Sequence, residues 1–123
     1  MKIAITTDDD DIVNTRFGCA YYFQVFTLEN GQVIKRELVD KHAHLTKEGC
    51  VEHCERPICF TAEFMDSLKA YDIIVSGGIS RRPWEMLVDH NISLTLTSLP
   101  TVDAVLAAYK DGTLTHDPSL IRR

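Results

Sequence analysis

The 123-residue sequence has no excess of positive charge: 13 Lys and Arg stand against 18 Asp and Glu, for a formal net charge of −5. That balance offers no general attraction to phosphate backbones or anionic lipid surfaces, which argues against nucleic acid and membranes as partners. No run approaches the about 18 apolar residues that cross a bilayer, and the apolar stretch after Met1 is too short for an export signal. A cytoplasmic location is the resulting expectation. Internal repeats and low-complexity linkers are also missing, and 45% hydrophobic residues can fill one ordinary core. One domain over residues 1–112 is expected, with a loose tail over 113–123.

Catalytic constellations are equally sparse. No Ser/His/Asp or Cys/His arrangement stands in a convincing order, and His90 and His116 read as ordinary surface residues. The acidic run Asp8 to Asp11 follows the first apolar stretch, where a magnesium site for phosphoryl chemistry is conceivable. No second acidic pair follows Asp72 to Ser76 to complete a two-metal arrangement, so a solvated loop is the better reading.

What is present is an orderly series of elements. Lys2 to Thr6 read as a strand, and Tyr21 to Glu29 and Gln32 to Asp40 as a hairpin around Asn30-Gly31, the dipeptide suited to positive φ. Lys35, Arg36 and Glu37 mark the second hairpin strand as a sheet edge. Phe60, Phe64 and Leu68 recur at helical spacing, and Asp72 to Ser76 read as a buried strand. Gly77-Gly78 then turn into a helix with Pro83 near its first turn and Trp84, Leu87 and Val88 on its apolar face. Ile92 to Thr97 form the last strand, and Thr101 caps a helix that Gly112 ends. An antiparallel start feeding parallel crossovers predicts a mixed five-stranded sheet with helices covering it, an α/β fold.

The one long connection, Lys41 to Cys59, holds three of the five histidines and three of the four cysteines. Loops of that length in compact domains are usually functional or disordered. If Cys50 to Glu55 is helical, about 100° per residue puts Cys50, His53 and Cys54 on one face of a single turn. Pro57 bends the chain, so that Cys59 can return toward them, and His42 and His44 are further candidates. Thiolate and imidazole suit zinc, copper(I) and iron-sulfur species rather than magnesium or calcium. Without an export signal the cysteines read as ligands or redox groups rather than disulfides. The spacing Cys-x3-Cys-x4-Cys matches no common zinc ribbon. A mobile loop with unligated cysteines and a structural zinc site therefore stay open beside a functional metal site.

Two further segments point to an anion. Gly77-Gly78-Ile79-Ser80-Arg81-Arg82 joins a buried strand to a helix, where free N–H groups, the helix terminus and two guanidiniums can converge. Asn14-Thr-Arg-Phe-Gly-Cys19 precedes the hairpin. Its Phe17 reads as core, while Arg16 and Cys19 are candidates to face the same crevice as Gly77 and Gly78.

Several local patterns coincide in order and spacing: Met1-Lys-Ile-Ala-Ile, Phe17-Gly18 before Tyr22-Phe23, Asn30-Gly31, Asp72-Ile-Ile-Val-Ser-Gly-Gly-Ile79 and Thr101-Val-Asp-Ala-Val. Together they resemble the dinitrogenase iron-molybdenum cofactor biosynthesis family over residues 1 to 112. The resemblance implies an RNase H-like three-layer α/β/α fold. It also implies a nitrogenase-accessory binder rather than an enzyme, one that carries cofactor precursors or molybdenum-copper-sulfur clusters. Arg16 stands where members often show His, and Gly77 to Pro83 where they often show Gly-Gly-x-Gly-Pro. The expectation is thus a non-enzymatic carrier of a metal-sulfur cluster of iron, molybdenum or copper, with a protein donor or acceptor as partner. Its metal ligands would come from Cys50, His53, Cys54, Cys59, His42 and His44, and its cofactor contacts from Arg16, Cys19, Gly77 and Gly78. A zinc-stabilised interaction domain is the alternative, followed by a magnesium-dependent hydrolase using the Asp8 loop.

Overall fold

The computed structural model describes residues 1–7, 11–15, 17, 22–40 and 62–122. Its strands are β1 (Lys2–Thr7), β2 (Tyr22–Glu29), β3 (Gln32–Asp40), β4 (Ile73–Ser76), β5 (Ile79–Ser80), β6 (Leu94–Leu96) and β7 (Ile121–Arg122). Its α-helices are α1 (Ala62–Leu68), α2 (Arg81–Asp89) and α3 (Val102–Asp111). Five strands form the main sheet in the order β3-β2-β1-β4-β6. The hairpin side is antiparallel, whereas β1, β4 and β6 run parallel, as the helical crossovers between them require.

The hairpin forms as its turn residues dictate. Asn30 has φ 55° and Gly31 φ 77°, the two positive values of a tight turn whose twist matches the strands. A bulge near Thr27 and Leu28 shifts the register from Thr27↔Lys35 to Leu28↔Val33. Ile34 is the extra residue, and β3 is the expected sheet edge. Arg36 lies over the Phe26 ring, 5.2 Å from its centroid, so a charged edge side chain also covers apolar surface.

Alternation along the strands sends side chains to two cores. On one face Ala4, Phe23, Val25 and Ile74 meet Met65 and Leu68 of α1 and Leu87 of α2. On the other Ile3, Ile5, Phe26 and Val75 meet Val102 and Val105 of α3. The result is the three-layer α/β/α sandwich with its mixed sheet. At the start of α3 the Thr101 hydroxyl accepts the Ala104 N–H at 3.1 Å, and Gly112 ends the helix at φ 73°.

The segment after Gly112, expected to be loose, instead packs back along the sheet. It holds a 3-10 turn at Pro118–Leu120 and then β7, which pairs in parallel with β5. Non-local pairing of a two-residue strand leaves almost no periodicity to read in sequence. The helix containing Phe64 and Leu68 is observed as α1, while Phe60 lies outside the described residues. The last strand is shorter than expected, at three residues.

Candidate functional site

Register places one edge of the sheet at the centre of the functional question. Thr7, the last residue of β1, pairs with Tyr22, the first of β2, and Tyr22 pairs with Asp40, the last of β3. Ser76 ends β4 beside them, because Ile5 pairs with Val75. The ends of β1, β3 and β4 and the start of β2 therefore share the carboxyl-terminal edge of the parallel strands. In parallel α/β sheets that edge is where ligands bind.

A buried polar lattice builds the floor of this edge. Asn14 N–H donates to Thr6 O at 2.9 Å, and Gly77 N–H donates back to Asn14 O at 3.0 Å. Phe17 N–H donates to Gly78 O at 3.0 Å, with its ring fully buried as expected. Between them the Thr6 hydroxyl donates to Ser76 Oγ at 3.0 Å, and the Ser76 hydroxyl donates to Gly78 O at 3.0 Å. Thr6 and Ser76 are both completely buried, so satisfied hydroxyls are what the site requires. On the α3 side, Val13 N–H donates to Pro100 O at 3.0 Å and Val102 N–H to Asp11 O at 2.8 Å. These bonds tie Asp11, Val13, Asn14 and Phe17 across the ends of β1 and β4 and the start of α3.

Gly77 is fixed by close approach. A Cβ there would lie 3.0 Å from Asn14 O and 3.1 Å from Thr15 Cα, both backbone atoms that cannot rotate away. Its N–H is engaged by Asn14 and is not a free anion donor. Gly78 N–H lies 3.5 Å from Ser76 Oγ, at the limit of a hydrogen bond. Arg81 and Arg82 are exposed on the first turn of α2, where the Ser80 side chain makes no capping hydrogen bond among the described residues.

Of the candidate residues named from sequence, Gly77 and Gly78 lie in this floor. Arg16, Cys19, His42, His44, Cys50, His53, Cys54 and Cys59 lie outside the described residues, as do Asp8 to Asp10. Among the described residues no three His, Cys, Asp or Glu side chains converge as a metal site. Sequence reasoning missed Thr6, Asn14 and Ser76. A hydroxyl at each of two strand ends is a weak signal until the strands are known to be neighbours. A cleft of about 230 Å³ lined by Lys69, Tyr71, Asp72, Asn91 and Ser93 sits at the opposite edge, away from this floor.

Comparison with known proteins decides the family. The model described as dinitrogenase iron-molybdenum cofactor matches residues 1–112. The chain belongs to this family. No curated protein sequence matches. Among solved structures, the crystal structure of PH0822 is similar, at 25% identity and a TM-score of 0.66, over 98% of this chain and 97% of that one. The apo form of the orange protein from Desulfovibrio gigas is 19% identical with a TM-score of 0.64, over 95% and 92% of the two chains. The MJ0327 protein of Methanocaldococcus jannaschii is 16% identical with a TM-score of 0.64, over 96% and 95%. The last two likenesses bear on the fold alone. The dinitrogenase cofactor family is a non-catalytic, nitrogenase-accessory one, of a class linked to handling metal-sulfur clusters. Among the described residues no helix is long and apolar enough to cross a membrane.

Proposed function

We propose that this protein is a non-enzymatic carrier of a metal-sulfur cluster, an iron-molybdenum cofactor precursor or a similar thiometalate, held at the carboxyl-terminal edge of the sheet. The observation that carries this reading is the family match over residues 1–112, joined to the register that brings Thr7, Tyr22, Asp40 and Ser76 to one edge. The chain leaves the described structure at Asp40 and returns at Ala62, so the segment holding His42, His44, Cys50, His53, Cys54 and Cys59 departs from that edge. Arg16 and Cys19 lie in the stretch between Asn14 and Tyr22, anchored to the same edge at both ends.

In this reading soft thiolate and imidazole ligands hold the metal, and Arg16 offsets the negative charge of the sulfide-rich cargo. Gly77 and Gly78 have the structural part: Gly77 admits the Asn14 and Thr15 backbone and the Gly78 carbonyl accepts the Phe17 N–H, so that the loop carrying Arg16 starts from a fixed base. Iron, molybdenum and copper are the metals in question, the location is the cytoplasm, and the partner is a protein that donates or accepts the cluster. Zinc bound at the cysteines alone would make the protein an interaction domain instead.

The test is anaerobic purification of the full chain with elemental analysis and absorption spectroscopy, before and after iron, molybdate, copper and sulfide are supplied. Visible charge-transfer bands that disappear in Cys50→Ser and Cys54→Ser are the expected result. Stoichiometric zinc that neither exchanges nor gives way to a coloured species would overturn the carrier reading in favour of the interaction domain.

A further inference from the structure

The segment after α3 is held by a set of contacts centred on one histidine. Gly112, at φ 73°, turns the chain, and Thr113 and Leu114 N–H both donate to Ala108 O. The His116 ring then stacks on Trp84 of α2, with centroids 5.4 Å apart and planes inclined by 12°. Its Nδ1 accepts the Leu96 N–H at 3.1 Å, while Asp117 N–H donates to Leu96 O at 2.9 Å. Leu96 lies on β6, an edge of the main sheet, so this pair caps both backbone groups of one edge residue. Beyond the 3-10 turn, β7 pairs with β5, whose two residues directly follow Gly78. Leu120 and Ile121 pack partly buried against the core that contains Leu87 and Leu96.

A backbone N–H can donate to Nδ1 only if that nitrogen carries a lone pair, which makes the latched ring neutral with its proton on Nε2. Protonation puts a second N–H opposite the Leu96 N–H and replaces an attraction with a donor facing a donor. Among the described residues the charged groups nearest the ring in the chain or on the packed elements are these. Asp117 follows it in the chain; its carboxylate is engaged by the Ser119 N–H at 3.0 Å and hydroxyl at 2.6 Å, and it also interacts electrostatically with His116. Arg81 and Glu85 neighbour Trp84 on α2, Lys110 and Asp111 end α3, and Arg122 lies in β7. The three residues of β6, and both residues of β5, carry no ionisable group.

We propose that residues 113–122 form a pH-gated strap, latched to Leu96 and β5 when His116 is neutral and released when His116 is protonated, baring Ile79 and Ser80 beside Gly78. Gly112 is the hinge, since α3 ends there and the strap begins. The strap acts whatever the edge of the sheet carries, and its test needs no cargo.

Hydrogen exchange of the full chain at pH 8 and pH 5.5, corrected for the intrinsic rate at each pH, reads the latch at the Leu96, Asp117, β5 and β7 amides. Protection there should fall on the order of tenfold at the lower pH, the scale of one lost hydrogen bond. The β1 and α3 amides should stay protected. His116→Gln keeps an acceptor but does not titrate, and should hold protection at both pH values. His116→Ala should be weakly protected at both. Trp84, the sole tryptophan, should change fluorescence with the same midpoint in the parent protein and show no transition in His116→Gln. Equal protection at the two pH values, a drop that survives in His116→Ala, or a loss spread evenly over the whole sheet would each overturn the proposal.

Discussion

Gly77 and Asn14 meet backbone to backbone: the Gly77 N–H donates to the Asn14 carbonyl at 3.0 Å, and a Cβ on Gly77 would sit 3.0 Å from that same oxygen. The bond that ties Asn14 to the end of β4 therefore fits as it stands because position 77 has no side chain. Gly77→Ala should destabilise the protein by about 1 to 3 kcal/mol through overpacking, since backbone must move to relieve the contact. Urea unfolding measures the loss, and lower exchange protection of the Phe17 and Gly77 amides would place it at this contact. An unchanged midpoint would show that the loop gives way without cost.

The Thr6 and Ser76 hydroxyls, 3.0 Å apart and fully buried, are coupled because each has one proton and the pair must share acceptors. Ser76→Ala should cost about 1 to 2 kcal/mol, moderated because the Thr6 hydroxyl can turn to Asn14 O, 3.3 Å away. Thr6→Val in the same background should cost less than it does alone, with a coupling of at least about 0.5 kcal/mol in a double-mutant cycle. Strict additivity would mean that the two hydroxyls do not cooperate.

These contacts show where sequence reading succeeds and where it stops. The Asn30-Gly31 turn, the Thr101 cap, the Gly112 terminus and the charged β3 edge are written in residues close together in the chain, so local chemistry is enough to find them. The sequence marks Gly77 as an anion donor, whereas its place in the fold is to admit the Asn14 backbone. Its neighbour Asn14 is distant in sequence, and nothing local distinguishes a glycine that frees an N–H from one that admits another backbone. The His116 latch and the β5–β7 pair were invisible for the same reason. The Cys/His segment is conspicuous in composition, and the register gives the sheet edge from which it departs.

Gln24 was another residue that composition did not flag. It is 1% exposed on β2, its Nε2 donates to Glu37 O at 3.1 Å, and its Oε1 has no hydrogen-bond partner among the described residues. A buried acceptor left unpaired costs more than the single bond on the other end of the amide returns. Gln24→Leu should therefore leave the urea midpoint unchanged or raise it, by up to about 1 kcal/mol. A fall of more than that would show that the Oε1 group is satisfied in solution.

Tyr71 gives the fold an alkaline limit. Half-buried, with its ring edge-on to Phe23 at 5.6 Å, it has a phenol pKa raised above the ordinary 10.0, first by burial and then by the Glu37 carboxylate. Both causes penalise phenolate in the folded state, so the unfolded chain loses this proton first as pH rises. The stabilisation is fully present below pH 10, where the phenol is neutral in both states. It is lost progressively as pH climbs from there through the higher folded value. Tyr71→Phe cannot ionise, and its thermal midpoint should fall less than that of the parent protein between pH 9 and 11.5. Parallel declines in the two proteins would assign the alkaline loss to other groups.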